Sequence, residues 1–207
     1  MQLYNANFSP NALRVRAVIY ELGIDVEIIP VDIVAGGGKT PEFLKLNPNG
    51  RIPVLVDGDL VVWESRAINA YLAAQFPDAG LYPADLKQRA IIDQWSYWQA
   101  IHLGPTMQRI NFERVVKPRR GRGEPDEAAI AGELKNVGPY LDVFENGLSH
   151  EKDWIAGPLS LADFALATTF GLRKASGISL ETRPLVDAWF TRMEARDSWR
   201  RATAEMT

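Results

Sequence analysis

The chain of 207 residues contains no cysteine. This absence excludes disulfide bonds, thiolate metal sites and every mechanism in which a protein thiol is the nucleophile. Any sulfur chemistry that the protein performs must therefore use the sulfur of a bound ligand. We expect no metal at the functional site.

The sequence also has no long hydrophobic run and no excess of positive charge. Its apolar stretches fall short of the roughly 18 residues that a membrane span requires. The N-terminus MQLYNANFSP lacks the basic and apolar regions of a signal peptide. The formal net charge of −3 gives no general attraction to phosphate backbones or anionic membranes. We therefore expect a cytoplasmic protein that binds neither nucleic acid nor membrane.

The first 76 residues alternate between short strand-like and helix-like segments. Strands are predicted at 2–5, 26–31, 52–56 and 60–63, and helices at 11–22, from 41 to before 48, and from 65 to 76. A compact domain with the order β-α-β-α-β-β-α pairs its first two strands through a right-handed crossover. This order matches the thioredoxin-like arrangement, so domain 1–76 is predicted to have that α/β fold.

The rest of the chain carries helical periodicity without a convincing strand. A turn-rich linker at 77–85 precedes an all-helical domain at 86–207. Within this domain, Ser160 and Asp163 have the spacing of an N-cap and its partner three residues later. We expect the basic, polar tail from Arg196 to be loosely packed.

The proline in RIPVL is unusual, because proline removes a hydrogen-bond donor from a strand. If the Ile52-Pro53 bond is cis, the backbone N–H and C=O of Ile52 face outward, where an extended peptide can pair with them. The alternative is an ordinary trans proline at a sheet edge.

Glu64 and Ser65 lie where a predicted strand passes into a helix. A helix N-terminus presents free backbone N–H groups and a partial positive charge, which suit a carboxylate ligand. Ser65 can add its hydroxyl to such a site. The alternative is that Ser65 only caps the helix and that Glu64 only complements the helix dipole.

Two stretches resemble a known family: the SP dipeptide followed by LRVRAV, and KTPEFLKLNPNGRIPVLVDGDLVVWESRAINAYL. They look like the N-terminal domain of glutathione transferases, closest to the serine-type phi and theta groups, and the match spans residues 2 to 76. The helical half, through GPLSLADFAL, is similar to the C-terminal domain of the same family. The resemblance implies a homodimer with one glutathione site per subunit. It departs from the phi pattern at Gly38, where many members have histidine.

By this resemblance, Ile52 pairs through its backbone with the cysteinyl part of glutathione, beside Pro53. Glu64 and Ser65 then hold the γ-glutamyl end, and Lys39 with Arg51 faces the glycine carboxylate. The charges are complementary, because glutathione carries two carboxylates and one ammonium group. For each of the two cations, a solvated surface position is the alternative.

The glutathione thiol must be activated, because a thiol with a pKa near 8.5 is only about 3% thiolate at pH 7. The resemblance implies that Ser9 donates a hydrogen bond to the ligand sulfur, since an SPxxxRV loop accompanies serine-type members. Lowering the thiol pKa by two units corresponds to about 2.7 kcal/mol, which one hydroxyl and a helix N-terminus can supply. Tyr4 and Asn11 are competing donors.

We expect the electrophilic substrate to bind in an apolar pocket between the two domains. Its predicted lining is Phe8, Asn11, Met107, Ile110 and Phe112. Basic residues follow at 117–122 and either attract anionic ligands or form a solvated connector.

The predicted reaction is attack of glutathione on a hydrophobic electrophile. Two alternatives remain: a glutathione-dependent isomerase, whose usual SSCxWR loop is absent here, and a non-catalytic regulatory or scaffold protein with the same fold.

Overall fold

The computed structural model describes residues 1–148 and 152–206. Positions 149–151 and 207, which belong to the predicted helical domain, lie outside the described residues. The chain divides into two compact units. The first unit comprises Met1–Ala84 together with the chain from Ala195 onward, and the second comprises Asp85–Glu194.

The first unit is a thioredoxin-like domain built on a mixed four-stranded sheet. Its strands are β1 (Gln2–Asn5), β2 (Glu27–Pro30), β3 (Val54–Asp57) and β4 (Leu60–Trp63). Its helices are α1 (Pro10–Leu22), α2 (Pro41–Leu46) and α3 (Ser65–Gln75), with short 3₁₀ turns at Gly37–Lys39 and Pro77–Ala79. The strand order is β2-β1-β3-β4, with β1 parallel to β2 and the other two pairs antiparallel. The predicted α/β order is therefore confirmed.

The core of this unit lies between the sheet and the helices α1 and α3. Leu3 of β1 and Leu55 of β3 are fully buried there, against Val15 of α1 and Ile68 of α3. Because side chains alternate across a strand, Tyr4 lies on the opposite face, where its ring packs edge-on against Phe43 of α2 at 6.2 Å. The sheet thus has α1 and α3 on one face and α2 on the other.

The C-terminal segment belongs to the first unit, which differs from the predicted helical domain 86–207. It forms a helix (Asp197–Ala204) that packs on α1. Trp199 and Ala202 face inward, with 3% and 0% of their surface exposed, and Arg196 forms an ion pair with Glu21. The expectation of a loosely packed tail is therefore wrong. Its overall composition is basic and polar, but Trp199 and Ala202 are apolar, have helical spacing and are buried.

The second unit is helical over its described residues. Its helices are α4 (Leu86–Trp98), α5 (Gly104–Asn111), α6 (Lys117–Arg119), α7 (Glu127–Gly147), α8 (Leu161–Ala167) and α9 (Pro184–Glu194), so the C-terminal helix is α10. The π-helical turns Gln99–Leu103 and Phe112–Val116 join α4, α5 and α6. The basic segment predicted at 117–122 therefore begins with helical residues. Among the described helices, none is long and apolar enough to cross a membrane.

Candidate active site

The topology of the first unit brings the predicted glutathione-site residues to one edge of the sheet. Strand β3 runs antiparallel to both β1 and β4, so β1 and β4 end at the edge where β3 begins. Tyr4 is paired with Val54, and Val54 with Trp63. The loop to Ser9, the residues just before Val54, and Glu64 therefore emerge side by side.

Ser9 is the N-cap of α1. Its backbone is extended, with φ −82° and ψ 124°, and Pro10 occupies the first helical position, which suits proline because no N–H is needed there. The Ser9 Oγ accepts a hydrogen bond from the Ala12 N–H at 3.4 Å, and 9% of the residue is exposed. This long bond uses a lone pair of the hydroxyl and not its proton. Ser9 can therefore cap the helix and still donate to a ligand.

Arg14, which sequence reasoning did not identify, joins α1 to α3. Its Nη1 donates to the Ser65 Oγ at 2.7 Å and to the Asn11 Oδ1 at 2.9 Å. Burial and, to a smaller extent, the charge of Arg66 lower the pKa of Arg14 to about 9, against an opposing effect of Glu64. The guanidinium is therefore still protonated at pH 7. A buried cation thus lies beside the two helix N-termini at this edge.

Two arginines in the run LRVRAV are the signal that could have pointed to Arg14. The neighbouring apolar residues predict a buried helix face, and an arginine on such a face requires polar partners. The sequence does not say which partners, because Ser65 is 51 positions away.

Glu64 has an unusual backbone conformation. Its φ of 75° and ψ of 113° make it the one non-glycine residue with positive φ among the described residues. Such a conformation costs about 1–3 kcal/mol and tends to persist at functional sites. Helix α3 begins at Ser65, so Glu64 and not Ser65 occupies the N-cap position. Ser65 is 4% exposed and lies in the first turn, where its N–H has no partner within the helix.

The Ile52-Pro53 bond is cis, the first of the two alternatives drawn from the sequence. Ile52 is half-buried and Pro53 is buried. Asn47 holds the preceding turn: its Nδ2 donates to the Arg51 carbonyl at 2.7 Å, and its Oδ1 accepts from the Asn49 N–H at 3.0 Å. Asn47 is a second residue that sequence reasoning missed, although the NPNG turn marks its position.

The two predicted cations lie on exposed segments that approach each other. The Lys39 Nζ donates to the Asn49 carbonyl at 3.4 Å, and Arg51 follows two residues later in the same turn. The backbones are close enough that a Cβ on Gly38 would lie 2.5 Å from the Gly50 carbonyl oxygen. Glycine at Gly38 is thus required by the packing of this turn.

The two competing donors are engaged differently from Ser9. Tyr4 borders a surface depression of about 470 Å³ on the α2 side of the sheet, together with Phe43. This is the face opposite to α1. The Asn11 amide oxygen accepts from Arg14, as described above, and the residue is exposed. Of the three candidate donors, Ser9 is the one whose hydroxyl lies at the N-terminus of α1, because Tyr4 belongs to β1 and Asn11 has an amide.

The residues predicted to contact the electrophile differ in exposure. Phe8, with 39% of its surface exposed, and Asn11 lie beside Ser9 in the chain. Met107 and Ile110 have no exposed surface and belong to α5, which packs on α7. Phe112 is half-buried in a π-helical turn. A hydrophobic period in a helix cannot distinguish core residues from pocket residues, so the role of Met107, Ile110 and Phe112 stays a prediction.

The described residues contain no group of three or more His, Asp or Glu side chains that could hold a metal ion.

Comparison with known proteins identifies both units. Residues 1–74 match the family model of the glutathione S-transferase N-terminal domain, and residues 103–197 match that of the C-terminal domain. The chain is 37% identical to glutathione S-transferase 3 of Zea mays over 209 residues, covering 99% of this chain and 93% of the relative.

Solved structures agree over the whole length. Glutathione transferase F7 from Populus trichocarpa has a TM-score of 0.90 at 33% identity and covers 100% of this chain and 99% of its own. Glutathione S-transferase I from mais, in complex with an atrazine glutathione conjugate, has a TM-score of 0.90 at 32% identity, covering 99% and 97%.

Proposed function

The chain belongs to the glutathione S-transferase family and is a glutathione transferase, and we propose that the Ser9 hydroxyl activates the thiol of its glutathione. In this mechanism the thiol proton passes to solvent, and Ser9 donates a hydrogen bond to the thiolate. The sulfur attacks an electrophilic carbon of the second substrate. A C–S bond forms, and either a leaving group departs with its electron pair, or the π electrons of an activated double bond shift away from the attacked carbon and the resulting anion takes a proton from solvent.

One observation carries this proposal: the Ser9 hydroxyl caps α1 through a 3.4 Å bond that leaves its proton for a ligand. The free N–H groups of the first turn of α1 add a positive partial charge. The charged Arg14, bonded to the Asn11 side chain of the same turn, adds a full one. Both charges favour a thiolate over a neutral thiol.

The γ-glutamyl end of glutathione is proposed to bind near the N-terminus of α3. Ser65 offers its N–H and its hydroxyl to a carboxylate. Because the Ser65 Oγ accepts from Arg14 at 2.7 Å, its proton points away from that arginine and can be donated to a ligand. Glu64 is exposed beside it and suits the ammonium group of the same residue. The strained backbone of Glu64 fits a position where ligand geometry matters more than stability.

The middle and the glycine end of glutathione are proposed to follow the turn before β3. Ile52 pairs with the cysteinyl part through its backbone, with Pro53 shaping the turn. Lys39 reaches this turn through the Asn49 carbonyl and Arg51 belongs to the turn, so the two are proposed as a pair of cations for the glycine carboxylate. Asn47 fixes the turn through the Arg51 carbonyl.

The second substrate is proposed to be a hydrophobic electrophile. Phe8 and Asn11 are exposed next to Ser9 and can contact it. A panel of aryl halides, epoxides, enals and peroxides, each assayed for kcat/KM, identifies the preferred class.

The protein is proposed to form a homodimer in the cytoplasm. Large apolar side chains are exposed on β4, at Leu60 and Trp63, and on α4, at Leu86 and Tyr97. Such surfaces mark interfaces more often than isolated positions do. Sedimentation velocity tests this assembly: the wild-type protein should sediment as a dimer, and the double variant Trp63→Glu/Leu86→Glu should sediment as a folded monomer.

The experiment that tests the role of Ser9 is a glutathione titration followed by thiolate absorbance at about 240 nm. The wild-type protein should show bound thiolate at pH 7. Ser9→Ala should lose most of this signal and keep glutathione binding, measured by calorimetry. Tyr4→Phe, which also removes one hydroxyl, is the matched control and should keep the signal. A signal that survives Ser9→Ala and disappears in Tyr4→Phe would assign the role to tyrosine.

A further inference from the structure

Arg16 is a buried charge that the proposed mechanism does not use. It lies in α1 with no exposed surface, on the side that faces the C-terminal helix α10. Its Nη1 donates to the Asn5 Oδ1 at 2.9 Å, and its Nη2 donates to the Ala202 carbonyl at 3.1 Å. Its Nε lies 3.1 Å from a carboxylate oxygen of Glu205. The guanidinium therefore joins the end of β1 to the end of α10.

The same guanidinium reaches the loop that leads to Ser9. Its Nη2 donates to the Asn7 carbonyl at 3.4 Å, and the Asn5 side chain donates to the Asn7 Oδ1 at 2.7 Å. The loop closes on itself where the Ser9 N–H donates to the Ala6 carbonyl at 3.1 Å. Arg16 is thus hydrogen-bonded to Asn5 and Asn7, two of the four residues between Tyr4 and Ser9.

Burial makes this arrangement sensitive to its partners. Burial lowers the pKa of Arg16, whereas Glu205 and Tyr20 raise it. A buried guanidinium that loses a hydrogen-bond partner shifts to bond a different acceptor, because an uncompensated buried charge is costly. The loop contacts at Asn5 and Asn7 then change, since they share the planar fork of donors with the contacts to α10.

We infer that Arg16 is a positioning residue through which the C-terminal helix α10 sets the conformation of the loop that carries Ser9. The inference rests on the proposed role of Ser9 at the thiolate. The chain from Glu205 and Ala202, through Arg16, to Asn5 and Asn7 fixes where the Ser9 hydroxyl points. Hydrogen bonding from a hydroxyl depends steeply on distance and angle, so a small shift weakens it.

A second set of contacts between α1 and α10 provides a matched control. Glu21 accepts from Arg196 and from the Ser198 hydroxyl and does not contact Arg16. Glu21→Gln therefore weakens the attachment of α10 at a similar depth without touching the link to the loop. A purely structural role for α10 predicts the same consequences for Glu21→Gln as for variants of the Arg16 chain.

The test uses Asn5→Ala, which cuts the link on the loop side, and Glu205→Gln, which loosens it on the α10 side. We expect each variant to raise the pKa of the bound glutathione thiol by about half a unit to one unit. At pH values below the thiol pKa, this lowers kcat/KM about 3- to 10-fold. The fall should be smaller at alkaline pH, and KM for glutathione should change less than about 2-fold. The double variant should show less than the sum of the two effects, because both act through Arg16.

Glu21→Gln should lower the melting temperature and leave the thiol pKa at the wild-type value. The inference is overturned if Asn5→Ala and Glu205→Gln lower the melting temperature but leave the thiol pKa unchanged. It is also overturned if Glu21→Gln raises that pKa as much as they do. Failure of the Ser9 proposal looks different, because then Ser9→Ala itself keeps the wild-type thiolate signal.

Discussion

Two helix N-termini in the molecule, those of α1 and α8, start with the same residue type and use it differently. Ser160 caps α8 next to Asp163, whose carboxylate accepts from the Ser160 N–H at 2.9 Å and from its hydroxyl at 3.0 Å. Ser9 caps α1 through one acceptor bond of 3.4 Å. At Ser160 the hydroxyl proton is used inside the fold, whereas at Ser9 it remains for a ligand. The remaining hydrogen-bonding capacity, and not the residue type, separates a structural cap from a candidate active-site group.

The buried charges Asp163 and Arg14 differ in the same way, in whether their hydrogen-bond partners are all inside the fold. Asp163 also accepts from the Ile155 N–H at 3.1 Å and from the Trp189 indole at 2.9 Å, so both of its oxygens are occupied. Arg14 is buried too, yet its partners include Asn11, which is exposed. One charge is enclosed by the fold, and the other is in contact with side chains that reach the surface.

The largest expected effect comes from removing each hydroxyl in turn. Ser9→Ala should lower kcat about 10²- to 10³-fold, the usual loss when one donor to a developing anion is removed. It should change the unfolding free energy by less than about 1 kcal/mol, because the capping bond is long. Ser160→Ala should show the reverse, a lower melting temperature with kcat kept. Equal losses of kcat in both variants would contradict the distinction between the two caps.

The next effect concerns Asp163. Asp163→Asn replaces an oxygen that accepts hydrogen bonds with an amide that donates them, so two buried donors lose their acceptor. We expect a loss of about 2–4 kcal/mol in unfolding free energy, with kcat kept at temperatures where the variant is folded. Chemical denaturation and a standard conjugation assay measure the two quantities. Loss of kcat in the fully folded variant would give Asp163 a role in the reaction.

The difference in unfolding free energy between the wild type and Asp163→Asn should depend on pH in a defined direction. Burial raises the pKa of Asp163 more than the bonds from Trp189, Ile155 and Ser160 lower it, so the pKa is about 6 instead of 3.8. The folded state thus binds the proton more tightly than the unfolded state. The resulting stability is fully present below pH 3.8 and is lost as the pH rises through about 6. The gap in unfolding free energy between the wild type and Asp163→Asn should therefore narrow over this window.

The helix N-termini could be predicted from sequence, although the N-cap of α3 is Glu64 and not Ser65. The partners of the buried arginines could not be predicted. Ser9, Ser160 and the Glu64-Ser65 pair lie where local periodicity begins, so a short window of sequence reveals them. Arg14 and Arg16 depend on partners 51 and 186 positions away, which no local pattern specifies. An arginine within a helix pattern is usually solvated, so its burial depends on which helices pack together.

The same reasoning applies to two further expectations, one for the C-terminal tail and one for the electrophile pocket. The tail from Arg196 is mostly polar, and only its packing on α1 shows that Trp199 and Ala202 face inward. Met107 and Ile110 were predicted as pocket residues from their apolar character, and they are fully buried. Both cases require knowledge of which surface a helix presents to its neighbours, and the helical period leaves that open.

A smaller effect is expected at the third helix N-terminus, that of α3. Ser65→Ala removes one proposed donor to the γ-glutamyl carboxylate and one acceptor for Arg14. We expect KM for glutathione to rise about 10-fold, as for the loss of one charge-assisted hydrogen bond, with kcat within about 3-fold. Ser65→Thr keeps the hydroxyl and is the control. A variant with unchanged KM and a large loss of kcat would place Ser65 near the sulfur instead.

The smallest expected effect is a difference in stability between two variants of Glu64, caused by its backbone conformation. Ser160 has a relaxed extended conformation, with φ −147° and ψ 173°, whereas Glu64 has φ 75°. Glycine tolerates positive φ and alanine does not, so Glu64→Gly should be more stable than Glu64→Ala by about 1 kcal/mol. At Ala70, in the interior of α3, the order should reverse, and the wild-type alanine should be more stable than Ala70→Gly, because glycine destabilises a helix interior by about 1 kcal/mol relative to alanine. The same order at both positions would mean that the strain at Glu64 is not retained in solution.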